Sequence, residues 1–316
     1  APWTVSDVPI LDECEELLGP MPSSSAPSKE TDGGELERAR AAIEGQNLGG
    51  GIVTAQMLAE HTAEQESWMP LAERAAKDRA WAYGHIVVDE AQELSPMAWR
   101  ALLRRCPSRS FTVVGDLDQR RGSKRPPTWE KALGPAARAL AAEYALTVSY
   151  RTPATLTTLA EGVVARAGVP VLYPMTAVRD VEDCYRVTHV DAPEDAPASS
   201  KDNSPLWRTV AQAQREAEER LDREAGTSRG RIAIIVGAQR ARAWGADVDG
   251  ETALSERVSL LSAVASKGLE FDSVILVEPA EILGDGVGDL FVALTRATHD
   301  VHVVHCAPLP AGMEEW

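Results

Sequence analysis

The chain has 316 residues, 44% of them hydrophobic and 25% charged, with a formal net charge of −16. That length holds two ordinary domains and a sizeable core, and the composition is that of a soluble globular chain. No apolar run approaches the roughly 18 residues of a membrane-spanning helix, so no membrane partner is expected. The acidity argues against binding that rests mainly on nucleic-acid phosphates.

Cys14, Cys106, Cys184 and Cys306 lie far apart with no C-x-x-C spacing, so structural zinc is not expected. Scattered thiols fit a reducing, cytoplasmic setting. The start, Ala1-Pro2-Trp3-Thr4, has neither initiator Met nor signal-peptide pattern and reads as the beginning of an excised fragment.

In chain order, residues 5–18 set Val5, Val8, Leu11, Leu17 and Leu18 at roughly helical spacing among Asp12, Glu13, Glu15 and Glu16, which predicts an acidic amphipathic helix. Gly19-Pro20 ends it, and 20–34 has linker composition. Residues 1–80 hold 15 carboxylates against 6 Lys/Arg, a net of −9 and over half the acidity of the chain. Gly49-Gly50-Gly51 lacks the Lys and Ser/Thr of a phosphate-binding loop, and Gly122-Ser123-Lys124 lacks the preceding Gly and strand. Residues 52–80 read as helical, with Met57, Leu58, Trp68 and Leu71 as apolar positions.

Ile86-Val87-Val88 has the length and branching of a buried strand and runs into Asp89-Glu90-Ala91-Gln92. Adjacent carboxylates at such a strand end suit Mg²⁺ and the polarisation of an attacking water; alternatively, they cap the next helix. Pro96 to Arg105 reads as that helix, and Phe111-Thr112-Val113-Val114 as a second strand ending in Gly115-Asp116-Leu117-Asp118-Gln119. Gln119 offers an uncharged donor and acceptor suited to a terminal phosphate. Arg100, Arg104, Arg105, Arg109, Arg120, Arg121, Lys124 and Arg125 form a basic island that could meet nucleic acid, a partner's acidic surface or solvent.

Trp129 to Tyr144 is Ala-rich and predicts a helix, followed by strand Leu146-Thr147-Val148 and then Arg151. Beyond it, Tyr185 to Val190, Arg231 to Val236, Arg257 to Leu261 and Val274 to Val277 read as strands. Residues 206–225 read as a charged amphipathic helix after a loop at 191–205, Asp289 to Ala297 as a helix, and Val301 to His305 as a strand closing the sheet.

DEAQ at 89–92 and GDLDQ at 115–119 resemble motifs II and III of superfamily 1 helicases of the UvrD/Rep type. Tyr150-Arg151-Thr152-Pro153, Lys267-Gly268-Leu269-Glu270-Phe271-Asp272 and Val292-Ala293-Leu294-Thr295-Arg296-Ala297 resemble motifs IV, V and VI, in the family's order. The resemblance implies an α/β fold of two RecA-like domains with mainly parallel sheets (the P-loop NTPase fold). The first domain would be incomplete because motif I, the Walker A loop, is missing. It also implies a division at 1–34 (acidic helix and linker), 35–152 (the later part of the first RecA-like domain) and 153–316 (the second).

The site residues follow from the same resemblance. Asp89 would hold Mg²⁺, Glu90 would activate water, and Gln119, Arg151 and Arg296 would face the γ-phosphate of ATP. Lys267, Gly268 and Glu270 would line the nucleotide cleft. Lys267 could equally meet nucleic-acid phosphate, Arg151 could form a structural ion pair, and an Arg one turn into a helix, like Arg296, is often a surface charge. Ser149 stands where the family commonly has Asn, and Phe291 where it has Tyr. Residues 154–266 leave no room for the family's large inserted domain.

The strings PWTVSDVPILDE (2–13), RSFTVVGDLDQ (109–119), SYRTP (149–153) and LFVALTRATHDVHVVHCAPLP (290–310) resemble the actinobacterial HelD branch of RNA polymerase-associated helicase-like factors. The expectation is the motor portion of an ATPase that releases RNA polymerase from DNA, inactive as an isolated fragment without Walker A. A 3′–5′ DNA helicase of repair or replication, and a non-catalytic docking module, are the alternatives.

Overall fold

The computed structural model describes residues 3–19, 75, 78, 81–122, 125–191, 204–246 and 256–314. The readings at 20–34, 49–51 and 123–124, and nearly all of that at 52–80, lie outside them, as does most of the loop at 191–205. The described residues fall into two compact units, one within 1–87 and 95–112, the other within 88–94 and 113–316.

In the first unit, a 3₁₀ turn (Val5–Asp7) leads into helix α1 (Val8–Leu18), which stops at Gly19 with φ 78°. Strand β1 (Ile86–Val88) precedes helix α2 (Pro96–Arg105), and strand β2 (Phe111–Val113) pairs with β1; the last residue of each strand already belongs to the second unit. α2 begins where sequence chemistry demands: the Ser95 side chain accepts from the N–H of Ala98 at 3.1 Å, and Pro96 takes the first turn, where no N–H is required.

Charges join α1 to α2. Glu13, 7% exposed, accepts from Arg100 at 2.5 Å and from Arg104, and Asp12 also takes Arg104. The first part of the basic island is thus neutralised by the chain's own acidic helix. Val8, Leu17 and Leu18 are exposed on that helix, so its apolar residues do not form the contact. Expected to be buried, Val87 of β1 is 67% exposed: only Val88 of that strand enters the core, because no described element covers the other face.

The second unit is built on five parallel strands. After helix α3 (Trp129–Leu133) come β3 (Val148–Ser149), helix α4 (Ala154–Arg166), β4 (Thr176–Ala177), β5 (Tyr185–His189) and helix α5 (Pro205–Glu224). β6 (Ile232–Val236), helix α6 (Ala238–Trp244), β7 (Val258–Ser262), β8 (Phe271–Val277), helices α7 (Pro279–Asp285) and α8 (Val287–Leu294), and β9 (Ala297–His305) complete it. The sheet order is β5-β9-β8-β6-β7, every pair parallel, and β3 pairs separately with β4.

Both sheet faces are covered, as the unbroken apolar runs require. Ala233, Ile235, Val274, Leu276, Val301 and Val303 pack with α4, α7 and α8. Their neighbours Ile232, Ile234, Val236, Ile275, Val277 and Val304 pack with α5 and α6. α5 presents Leu206, Val210, Ala213, Ala217 and Leu221, a stripe at helical spacing. Truncating a fully buried side chain such as Ile235 to Ala would remove about 2–5 kcal/mol of stability. The mainly parallel, two-sided α/β layering is consistent with the RecA-like domain expected from the sequence.

Four expectations need correction. The helix predicted over 129–144 ends at Leu133: Gly134 takes φ 53°, ψ −116°, and Pro135 permits only a 3₁₀ stretch to Ala139. The strand before Arg151 is Val148–Ser149, shorter and later than predicted, with Leu146 89% exposed. The last strand, predicted over Val301 to His305, begins earlier, at Ala297, and lies between β5 and β8. Arg296 is not in a helix, since α8 ends at Leu294 and β9 begins at Ala297.

No helix among the described residues is long and apolar enough to cross a membrane.

Candidate active site

The candidate residues of the second unit sit on loops at strand ends, where α/β sheets place ligands. Glu90 follows β1 in a left-handed backbone conformation (φ 49°, ψ 37°), uncommon for a residue with a side chain. Its N–H donates to Oδ1 of Asp89 at 2.8 Å. Asp89 is exposed and Glu90 half-buried.

Gln92 is fully buried and links two loops. Its Nε2 donates to Oε2 of Glu90 at 2.6 Å, and its Oε1 accepts the N–H of Asp116 at 3.1 Å. Arg120 reaches the carbonyl of Gln92 at 2.7 Å. A Cβ on Gly115 would stand 2.3 Å from Oε1 of Gln92 and 2.9 Å from the Trp129 ring, so this seat admits only glycine without rearrangement.

The Asp116 carboxylate accepts from the N–H of Asp118 at 2.9 Å and from Nε2 of Gln119 at 3.0 Å. Burial pushes its carboxyl above the ordinary value, although these hydrogen bonds oppose the shift. Oε1 of Gln119 accepts from Arg296 at 3.2 Å. Arg296 is 4% exposed, and its remaining donors meet the carbonyls of Val292 (3.2 Å) and Leu269 (3.4 Å). Its guanidinium is lowered to about 10, first by burial and then by Arg151, against the opposing pull of Glu90, Glu270 and Asp116; it stays charged at neutral pH.

Lys267, with 10% of its side chain exposed, donates to Oε1 of Glu93 at 2.7 Å and to the carbonyl of Gln119 at 2.6 Å. Gly268 beside it takes φ 72° and allows the tight turn after β7. Arg151 pairs with Glu270, both about half exposed, an ion pair of modest strength. Arg125 pairs with Asp118.

The structure therefore brings Glu90, Gln119, Lys267 and Arg296 into one hydrogen-bonded constellation and sets Arg151 and Glu270 on each other. Asp89 stands apart on the exposed side. Gln92, Glu93 and Asp116 were missed as site residues; each sits within or beside a quoted motif, but spacing alone does not pair their side chains.

The donor set can be matched to a metal. No group of three or more His, Cys, Asp or Glu among the described residues is arranged to hold an ion. Mg²⁺ keeps several waters and needs only one or two carboxylates, so the exposed Asp89 with Glu90 beside it is a chemically adequate anchor.

No protein-family model matches the chain, and no curated protein sequence matches it. Among solved structures, the chain is similar to the helicase nonstructural protein 10 of an arterivirus, at 16% identity and TM-score 0.38 over 74% of this chain and 41% of that one. The same arterivirus protein in complex with DNA gives 17% and 0.37 over 71% and 40%. The C-terminal domain of a possible DNA helicase from Lactobacillus plantarum WCFS1 gives 18% and 0.33 over 52% and 92%. The chain spans about two fifths of the arterivirus protein's length. These are partial likenesses of chain path, and nothing about activity follows from them.

Proposed function

We propose that this chain is the motor portion of an ATP-dependent helicase-like protein that acts in the cytoplasm, where hydrolysis remodels RNA polymerase or releases it from nucleic acid. The observation that carries the reading is the constellation of Glu90, Gln119 and Arg296: a carboxylate, an amide and a buried guanidinium from three loops, hydrogen-bonded through Gln92 and Asp116. The order of the five motifs supports it.

In this reading Glu90 takes a proton from the attacking water as the bond to the γ-phosphorus forms and the bond to the leaving ADP oxygen breaks. Arg296 and Arg151 offset the charge that develops on the phosphoryl oxygens. Mg²⁺, held through Asp89, would supply charge neutralisation at the phosphates. The early engagement of Arg100 and Arg104 by Glu13 and Asp12 leaves less basic surface for DNA and favours a protein partner.

Glu90→Gln in the full-length protein should abolish turnover, a loss of about 10²–10⁴-fold for a general base, while ATP binding persists. Retained turnover would remove Glu90 from that role. Capture of the full-length protein on core RNA polymerase, with single-stranded DNA as competitor, tests the partner. Binding that resists DNA supports the polymerase, whereas binding to DNA alone makes the protein a DNA translocase.

A further inference from the structure

The hydrogen bonds between Arg296 and Glu90 all run in one direction. Arg296 donates to Oε1 of Gln119, whose Nε2 donates to Oδ2 of Asp116. The N–H of Asp116 donates to Oε1 of Gln92, and Nε2 of Gln92 donates to Oε2 of Glu90. A guanidinium can only donate and a carboxylate can only accept, so the two ends and the middle set the orientation of both amides. Neither glutamine can flip without placing donor against donor or acceptor against acceptor. The Gln92 amide oxygen lies where a side chain on residue 115 would stand, so the glycine leaves room for it there.

We infer that Gln92 and Asp116 are positioning residues that couple Arg296 to Glu90, so that whether the guanidinium holds Gln119 decides where the Glu90 carboxylate is held. The inference rests on the reading of Glu90 and Arg296 given above. A γ-phosphate that drew Arg296 or Gln119 away would leave the Asp116 carboxylate on the Asp118 N–H alone, and the resulting shift of the Asp116 backbone N–H would pass through Gln92 and free an oxygen of Glu90 for water. The carboxylate is thereby restrained until the phosphate is in place.

Asp116→Asn tests the relay. The N–H of Asp118 claims the asparagine oxygen, so its NH₂ faces Gln119, which must turn and present its own NH₂ to Arg296. In the full-length protein, kcat is expected to fall about tenfold or more with KM nearly unchanged. In an Arg296→Ala background the same substitution should add almost nothing, because residues acting as one unit are not additive. Gln92→Met, of similar size but unable to bridge, should behave alike and covers the case in which Asp116→Asn does not fold.

A second readout needs no turnover: Arg296→Ala should shift the side-chain NH₂ resonances of both Gln119 and Gln92. Shifts confined to Gln119, or losses that multiply fully in the double variants, would overturn the coupling. If both resonances move but the wild-type protein hydrolyses no ATP, the hydrogen-bonded relay stands while the ATPase reading, and the catalytic purpose given to the relay, fall.

Discussion

Lys267 and Glu93, 174 residues apart in the chain, meet at 2.7 Å, and the same ammonium takes the Gln119 carbonyl at 2.6 Å. One cation therefore joins the loops that follow β1, β2 and β7. The sequence left Lys267 open between nucleotide and nucleic-acid phosphate; in the structure its ammonium is held by the protein. Lys267→Met would leave the Glu93 carboxylate, 29% exposed, with the Arg121 N–H alone and would strip the Gln119 carbonyl of its ammonium. A loss of about 1–3 kcal/mol is expected. Thermal unfolding at neutral pH reads it, and an unchanged midpoint would show that the ammonium is not engaged in solution.

Gly115→Ala should destabilise the second unit by about 1–3 kcal/mol, because the new methyl overlaps both Gln92 and the Trp129 ring. Urea unfolding followed by tryptophan fluorescence measures the change. A variant as stable as the wild type would mean that the Gln92 amide does not lie against Gly115.

Asp300, 2% exposed, holds Arg220 through both of its oxygens and Arg186 at 3.3 Å. Asp300→Ala leaves the largely buried Arg220 of α5 without its carboxylate and should lower stability by about 3–5 kcal/mol. Arg186→Ala, at a side chain 40% exposed, should have much the smaller effect. Equal losses from the two would contradict the buried position of the carboxylate.

The stability of the protein should carry a pH signature from Asp289. Burial raises its carboxyl above the ordinary 3.8, with Lys267 opposing. The folded state then binds more protons than the unfolded state just above that value, so the contribution of Asp289 is fully present below 3.8 and is lost as pH rises through the raised folded value. Asp289→Asn should therefore gain on the wild type across that rise and gain nothing below it. Chemical denaturation at a series of pH values compares the two, and a pH-independent difference would sink the prediction.

Much of the sheet was legible because its signal is local. Ile232 to Val236 is an uninterrupted apolar run, and all five residues are buried. The stretch 129–144 misled because its alanine content outweighed Gly134-Pro135, a break that was visible in the letters. The pairing of Arg104 with Glu13 is 91 residues long in sequence, and no periodicity announces it. The site divides likewise: Glu90, Gln119 and Arg296 belong to recognisable strings. By contrast, the roles of Gln92 and Asp116 depend on which way two amides face, and that is decided by charges far away in the chain.

The position of β9 has a consequence for how the chain is made. β5 has β9 as its partner in the sheet, as in the contact between Thr188 and His302, 114 residues apart. On the ribosome β5 emerges long before that partner, so its edge waits unpaired while β6, β7 and β8 can already associate. Closure of such distant pairings is slow, and the waiting edge is open to pairing with other chains. Nascent chains halted before β9 should therefore be prone to aggregate, and native structure around β5 should form only after synthesis has passed His305.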